Sequence, residues 1–274
     1  MQQQIGFCST TDGARIAYAT VGTGPALIVI PFSPCHLGLD WEEPRVRDFW
    51  ETIGQHHTVV RYDKHGCGLS DRNRTDFSLD VEVVTIEAIV KNLGLKFPVL
   101  WGYGALGGVA SIAYTVKFPD RVSRLILCNA QARWHGASAL GGVGESIRAL
   151  NSSNWRMATL SLAEAMLGNA FFDASALQWW LRIRQEAVAP EIQDQMVVAQ
   201  LWNTDVRDLL RQVSVPTLVV HWRNNRVIPF EGGLEVAAGI PGARFVPLEG
   251  DSHLLFWRHA TAATSDSRVS WRSH

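Results

Sequence analysis

Apolar residues along the chain fall into short, nearly unbroken runs, separated by longer stretches in which they recur at helical spacing. The runs are Ile16–Ala19, Ala26–Ile30, Thr58–Tyr62, Pro98–Trp101, Arg124–Cys128, Thr217–His221 and Arg244–Leu248. The first two are separated by the turn signal Gly22–Thr23–Gly24–Pro25. Runs this short and this continuous predict strands buried on both faces of a parallel sheet. Between them, helical periodicity marks Arg45–Ile53 after Pro44, Leu79–Leu93 closed by Gly94, Leu106–Phe118 stopped by Pro119, and Phe230–Ala238. Strand and helix in alternation predict an α/β fold: an open, mostly parallel sheet with helices on both faces.

The alternation lapses once. From residue 131 to 205 the pattern offers only helices, at Ser138–Leu150, Met157–Leu167, Ala174–Ala189 and Glu191–Leu201. The expected organisation is a core of residues 1–130 and 206–274, with a helical lid of residues 131–205 inserted over the C-terminal edge of the strands. Five of the 11 tryptophans fall in that insertion (Trp134, Trp155, Trp179, Trp180 and Trp202), and Trp101 ends a core strand. A concentration of stiff, apolar rings there predicts an aromatic-walled ligand cavity.

Composition narrows the partners. A chain of 274 residues with 47% hydrophobic and 19% charged residues has material for a proper core, which excludes a disordered polymer. A formal charge of -1 gives no basic excess for nucleic acid or an anionic membrane surface. Cys8, Cys35, Cys67 and Cys128 are scattered without CxxC spacing, so neither a disulfide framework nor a zinc site is expected. The N-terminus lacks the basic and apolar regions of a signal peptide, and no run is long enough to span a bilayer. The expectation is a cytoplasmic protein without cofactor or metal, taking a small hydrophobic partner.

The chemistry-bearing segment begins at Pro98: Pro-Val-Leu-Trp-Gly-Tyr-Gly-Ala-Leu-Gly-Gly-Val-Ala. A strand runs into a glycine-rich turn and at once into a small-residue helix, which lifts one side chain above the sheet edge on a strained backbone. With this elbow the chain resembles the α/β-hydrolase superfamily, most closely hydrolase-like domains near or fused to bacterial signalling modules. Counting back from Pro119-Asp-Arg-Val122 and from Gly107-Gly108 places the nucleophile at Ala105, which has no group able to attack. The resemblance extends to Arg61-Tyr-Asp-Lys-His-Gly-Cys-Gly-Leu-Ser-Asp71, to the oxyanion-loop segment Ile30–Leu37, to Asp205–Leu210 leading into Val215–His221, and to Glu249-Gly-Asp-Ser-His253. It implies that His253 is the triad histidine. The acid position, in Arg223-Asn-Asn-Arg-Val, is held by Asn225, which can orient a ring but brings no charge. It also implies that Leu106 and Phe32 or Ser33 supply oxyanion N–H groups.

Other residues carry weaker signals. His36 in the oxyanion loop is either a donor to a ligand carbonyl or a surface histidine. Tyr103 either hydrogen-bonds a ligand or packs beneath the loop. Trp134 and Trp155 are expected as pocket walls. Three accounts of the missing triad members stand open: natural loss in a pseudo-hydrolase, deliberate replacement of a serine at position 105, and a nucleophile elsewhere, such as Cys35, Cys67 or Cys128. The functions that follow are binding of a small hydrophobic carbonyl compound of the ester or lactone class, with hydrolysis only if position 105 is normally Ser; a ligand-sensing or accessory pseudo-hydrolase; and a non-hydrolytic enzyme using His253 as general acid or base.

Overall fold

The computed structural model describes residues 1–134, 144–199 and 203–257. Eight strands are present: β1 (Gln4–Ser9), β2 (Arg15–Val21), β3 (Ala26–Ile30), β4 (Thr58–Tyr62), β5 (Val99–Tyr103), β6 (Arg124–Cys128), β7 (Thr217–Trp222) and β8 (Arg244–Leu248). They form one sheet in the order β1-β2-β4-β3-β5-β6-β7-β8. The pairs β1–β2 and β2–β4 are antiparallel, and every pair from β4 to β8 is parallel. This is the mostly parallel α/β sheet that the short apolar runs predict. The strand β1 is an addition: its Ile5 and Phe7 are exposed on the sheet edge, so the segment lacks the continuous apolar run that marks the others.

Burial on both faces explains the continuous runs. In β3, Ile28 and Ile30 enter one core cluster, while Leu27 and Val29 enter the other. In β5, Leu100 and Trp101 divide in the same way. The first cluster receives α3 (Leu79–Asn92), α4 (Gly104–Lys117) and α10 (Phe230–Gly239); the second receives α2 (Pro44–Gly54), beyond the short α1 (Leu37–Glu42).

Between β6 and β7 the described elements are helical: α5 (Gly144–Ser153), α6 (Trp155–Leu167), α7 (Ala174–Glu186), α8 (Pro190–Val197) and the short α9 (Arg207–Leu210). Trp179 and Trp180 both join the second core cluster, so the adjacent pair packs inward together. The start of the helix expected over Ser138–Leu150, the end of that expected over Glu191–Leu201, Trp202 and the C-terminal tail lie outside the described residues. No helix among the described residues is long and apolar enough to cross a membrane, and none of them form a group of three or more His, Cys, Asp or Glu placed to hold a metal.

Candidate functional site

The site is built where β5 meets α4. Strand β5 runs two residues further than its apolar run suggests, to Tyr103, and α4 begins immediately at Gly104 with φ +69°. Strand and helix are nearly in contact: a Cβ on Gly102 in β5 would lie 2.8 Å from the Gly107 carbonyl oxygen of α4. The left-handed residue at the junction is therefore Gly104, one before the Ala105 that the count selects. A Cβ on Gly104 would point at His253, 3.1 Å from Nε2. Counting back from Pro119 and from Gly107-Gly108 follows the helix, whereas the junction is fixed by the positive φ at the strand's end. Position 104 faces the histidine, and Ala105 follows it in the first turn of α4.

His253 lies on the loop after β8 and is 2% exposed. Its backbone is anchored on three sides. The N–H donates to the Met166 carbonyl at 3.0 Å, and its carbonyl accepts from Tyr103 Oη at 2.9 Å and Asn129 Nδ2 at 3.0 Å. The ring stacks on Tyr103 and meets Phe32 edge-on, with centroids 5.8 and 6.1 Å away.

Asn225 stands beside the ring, its amide nitrogen 3.1 Å from Nδ1. The orientation of that amide follows from its other contacts. Oδ1 accepts the backbone N–H groups of Val227 at 2.9 Å and Ile228 at 3.1 Å, so the NH₂ must face the histidine. An amide NH₂ only donates. Nδ1 is therefore the acceptor, and the ring proton sits on Nε2, aimed at Gly104. This is the reverse of the tautomer that a carboxylate at position 225 would impose. Burial, with a smaller contribution from His221, pushes the His253 pKa down to about 3, so the ring is neutral at physiological pH.

That depressed pKa has a stability consequence. Between about 6.5 and 3 the unfolded histidine binds a proton and the folded one does not, so stability falls as the pH drops through this window. At roughly 1.4 kcal/mol per pH unit, the folded protein loses about 2–3 kcal/mol between pH 6.5 and 4.5 on this account. In urea melts, His253→Gln is expected to flatten the slope by that amount. An unchanged slope would refute the assignment.

The remaining sequence-predicted residues divide. Phe32 packs against both His253 and Tyr103. Ser33 Oγ donates to Gln193 Oε1 at 3.0 Å, tying the oxyanion loop to α8. Leu106 is buried in the first turn of α4. Tyr103 is closer to the packing reading: its hydroxyl donates to the His253 carbonyl and accepts from Leu255 N–H at 3.0 Å, so it is committed to holding the loop. His36 caps α1, Nδ1 accepting from the N–H groups of Gly38 and Leu39, and is accounted for without a ligand. Trp155 covers the guanidinium of Arg184 at 4.0 Å, and Trp134 stands next to the Arg133–Asp205 bridge. Cys35, Cys67 and Cys128 are all buried, and the position opposite Nε2 belongs to a glycine.

A small cavity of about 40 Å³ lies beside the site. Its walls include Phe32, Tyr103, Trp50, Trp179 and Phe256, with Arg61 and Asp40 on its polar side. The volume accommodates about a water molecule rather than a ligand, so any ligand must displace part of this aromatic wall. Sequence reasoning missed Asn129, whose φ of +50° and buried amide link β6, β7 and the His253 loop. An Asn just after a strand was the available signal.

A model of the alpha/beta hydrolase family matches residues 31–266. A 2-hydroxy-6-oxononadienedioate/2-hydroxy-6-oxononatrienedioate hydrolase of Klebsiella pneumoniae is 27% identical over 219 residues, 74% of this chain and 73% of that protein. The AB hydrolase superfamily protein YisY of Bacillus subtilis is 28% identical over 208 residues, covering 72% and 75%. Among solved structures, an esterase of Exiguobacterium antarcticum superposes with TM-score 0.78 at 22% identity, covering 91% of this chain and 92% of that one. An enol-lactonase of Burkholderia xenovorans superposes with TM-score 0.74 at 19% identity, covering 90% and 93%.

Proposed function

Because the chain belongs to the alpha/beta hydrolase family, we propose that it binds a small hydrophobic carbonyl compound, of the ester or lactone class, without attacking it covalently. The observation that carries this reading is the glycine at position 104 facing His253 Nε2. With no side chain there, no acyl-enzyme forms. What is left is a set of donors. His253 presents Nε2–H, and Phe32 borders the same point, its Cβ 3.2 Å from where a Cβ on Gly104 would stand. We assign the backbone N–H groups of Phe32 and Ala105 to that point as further donors, Ala105 in place of the expected Leu106, a set that would suit a carbonyl oxygen. The aromatic cavity wall under the inserted helical lid suits an apolar body.

The alternative use of His253 as a general base is disfavoured by its tautomer. Moving the proton to Nδ1 sets Nδ1–H against the Asn225 NH₂, donor against donor. A binding role of this kind fits a sensor or accessory protein.

Thermal shift against small esters, lactones and methyl ketones tests the proposal. A binder gains roughly 2.7 kcal/mol of stability at a hundredfold excess over Kd. His253→Ala is expected to weaken the shift, and bound ester is expected to be recovered intact. Release of acid and alcohol from a bound ester, or no shift with any compound, would overturn it.

A further inference from the structure

Cys35 and Cys67 bring two sulfurs together between two loops. Cys35 sits in the loop after β3 and Cys67 in the loop after β4. Cys35 Sγ accepts the Lys64 N–H at 3.3 Å, and the Lys64 carbonyl accepts the Cys67 N–H at 3.0 Å, so both cysteines are fixed to the same turn. The two thiols hydrogen-bond to each other and share a small buried cluster with Phe77, Val188 and Met196. Cys67 Sγ also lies 3.5 Å from Ser33 Oγ, next in sequence to Phe32. Cys8 and Cys128 belong to other clusters.

The pair is unequal. Hydrogen bonding from the Cys35 thiol pushes the Cys67 pKa down despite burial, and the Lys64 charge adds to the effect. Burial, and then the Cys67 contact, push the Cys35 pKa well up. Cys67 therefore carries the thiolate character and Cys35 the shared proton. A buried dithiol needs a route for its oxidant. Cys35 lines the cavity of about 40 Å³ beside the site, together with Asp40 and Arg61. That volume and polar wall suit hydrogen peroxide, which is little larger than water, and exclude bulkier oxidants.

We propose that Cys35 and Cys67 form a dithiol that hydrogen peroxide oxidises, reversibly, to a disulfide joining the loops after β3 and β4. The Cys35 sulfur attacks one peroxide oxygen, and the O–O bond breaks. The Cys35 proton passes to the Cys67 thiolate, and Cys35 becomes a sulfenic acid. The departing hydroxide takes that proton and leaves as water, so Cys67 is a thiolate again. Cys67 then attacks the Cys35 sulfur, the S–O bond breaks, and a second hydroxide departs. Counted from two thiols, one peroxide is reduced to two waters and the thiols are oxidised to one disulfide. The new bond ties the loop that carries Phe32 and Ser33 to the turn at Lys64. It depends on nothing in the function proposed above.

The test counts thiols after the folded protein meets hydrogen peroxide and is then denatured. The wild type is expected to lose the two thiols of this pair, and dithiothreitol is expected to restore them. Tryptic mapping is expected to find Ile16–Arg45 joined to His65–Arg72. Cys8→Ser combined with Cys128→Ser is expected to form the same cross-link. Cys35→Ser and Cys67→Ser are each expected to lose it. The bulky tert-butyl hydroperoxide is expected to leave every thiol intact over the same time.

Survival of every thiol in hydrogen peroxide overturns the proposal. So does a cross-link between other cysteines, a sulfinic acid at Cys35 or Cys67 without a cross-link, or thiol loss only in urea. Equal reaction with tert-butyl hydroperoxide overturns it too, because the oxidant then enters by unfolding rather than through the cavity.

Discussion

Gly104→Ser combined with Asn225→Asp is expected to create esterase activity towards p-nitrophenyl acetate, whereas Ala105→Ser with Asn225→Asp is not. The first pair supplies each missing part at its place. A serine at 104 carries Oγ on the Cβ that points at His253 Nε2. An aspartate at 225 keeps the two backbone hydrogen bonds from Val227 and Ile228 and presents its second oxygen to Nδ1. The ring proton then moves to Nδ1, and Nε2 becomes the acceptor that a serine hydroxyl needs. Loss of the carboxylate in a working triad costs roughly 10⁴ in kcat, so Gly104→Ser alone is expected to fall short of the double variant by about that factor. There is a cost: at φ +69° a serine is strained by about 1–3 kcal/mol, and its Cβ would sit 3.1 Å from Nε2 and 3.2 Å from Phe32 Cβ. His253 must give by a few tenths of an ångström. Burst kinetics with the double variant check the result. Equal activity from the Ala105→Ser pair would show that the elbow lies one residue later.

That contrast marks how far the sequence was legible. The strands were readable because burial on both faces leaves a continuous apolar run, as in Ala26–Ile30 and Arg124–Cys128, and β1 escaped because its apolar residues face outward. His253 and Asn225 were readable through the resemblance, which puts the triad histidine after the last strand and the acid just before an Arg-Val pair, and the structure brings the two side chains within 3.1 Å. The elbow was readable as a segment but not to the residue. Four glycines lie between 102 and 108, and only backbone geometry says which of them carries the positive φ at the junction. The tautomer was not legible at all, since it depends on which amide atom of Asn225 meets two backbone N–H groups. Arg184 was hidden for a similar reason: in sequence it is one more arginine on a helix, and only the fold shows it 1% exposed against the face of Trp155.

Asn129→Ala is expected to destabilise the fold by about 3–5 kcal/mol and to displace His253, even though Asn129 touches no reacting position. Its amide is fully buried and works at both ends. Nδ2 donates to the His253 carbonyl at 3.0 Å, and Oδ1 accepts the Trp222 N–H at 3.2 Å. Alanine leaves two buried backbone groups with a bond fewer, at about 1–3 kcal/mol for each group left unsatisfied. The carbonyl retains Tyr103 Oη, so the larger share falls on the Trp222 N–H. The backbone adds to the cost, because φ +50° is tolerated by asparagine better than by alanine. Asn129→Asp separates the two ends. A carboxylate still accepts from Trp222 N–H but faces the His253 carbonyl as acceptor against acceptor. That variant is expected to keep more stability in urea melts while losing ligand-induced thermal shift, since the loop carrying His253 is the part pushed away. If both variants bound ligand as the wild type does, the His253 loop would be held by Tyr103 and Met166 alone. The donor set at the elbow would then owe nothing to Asn129.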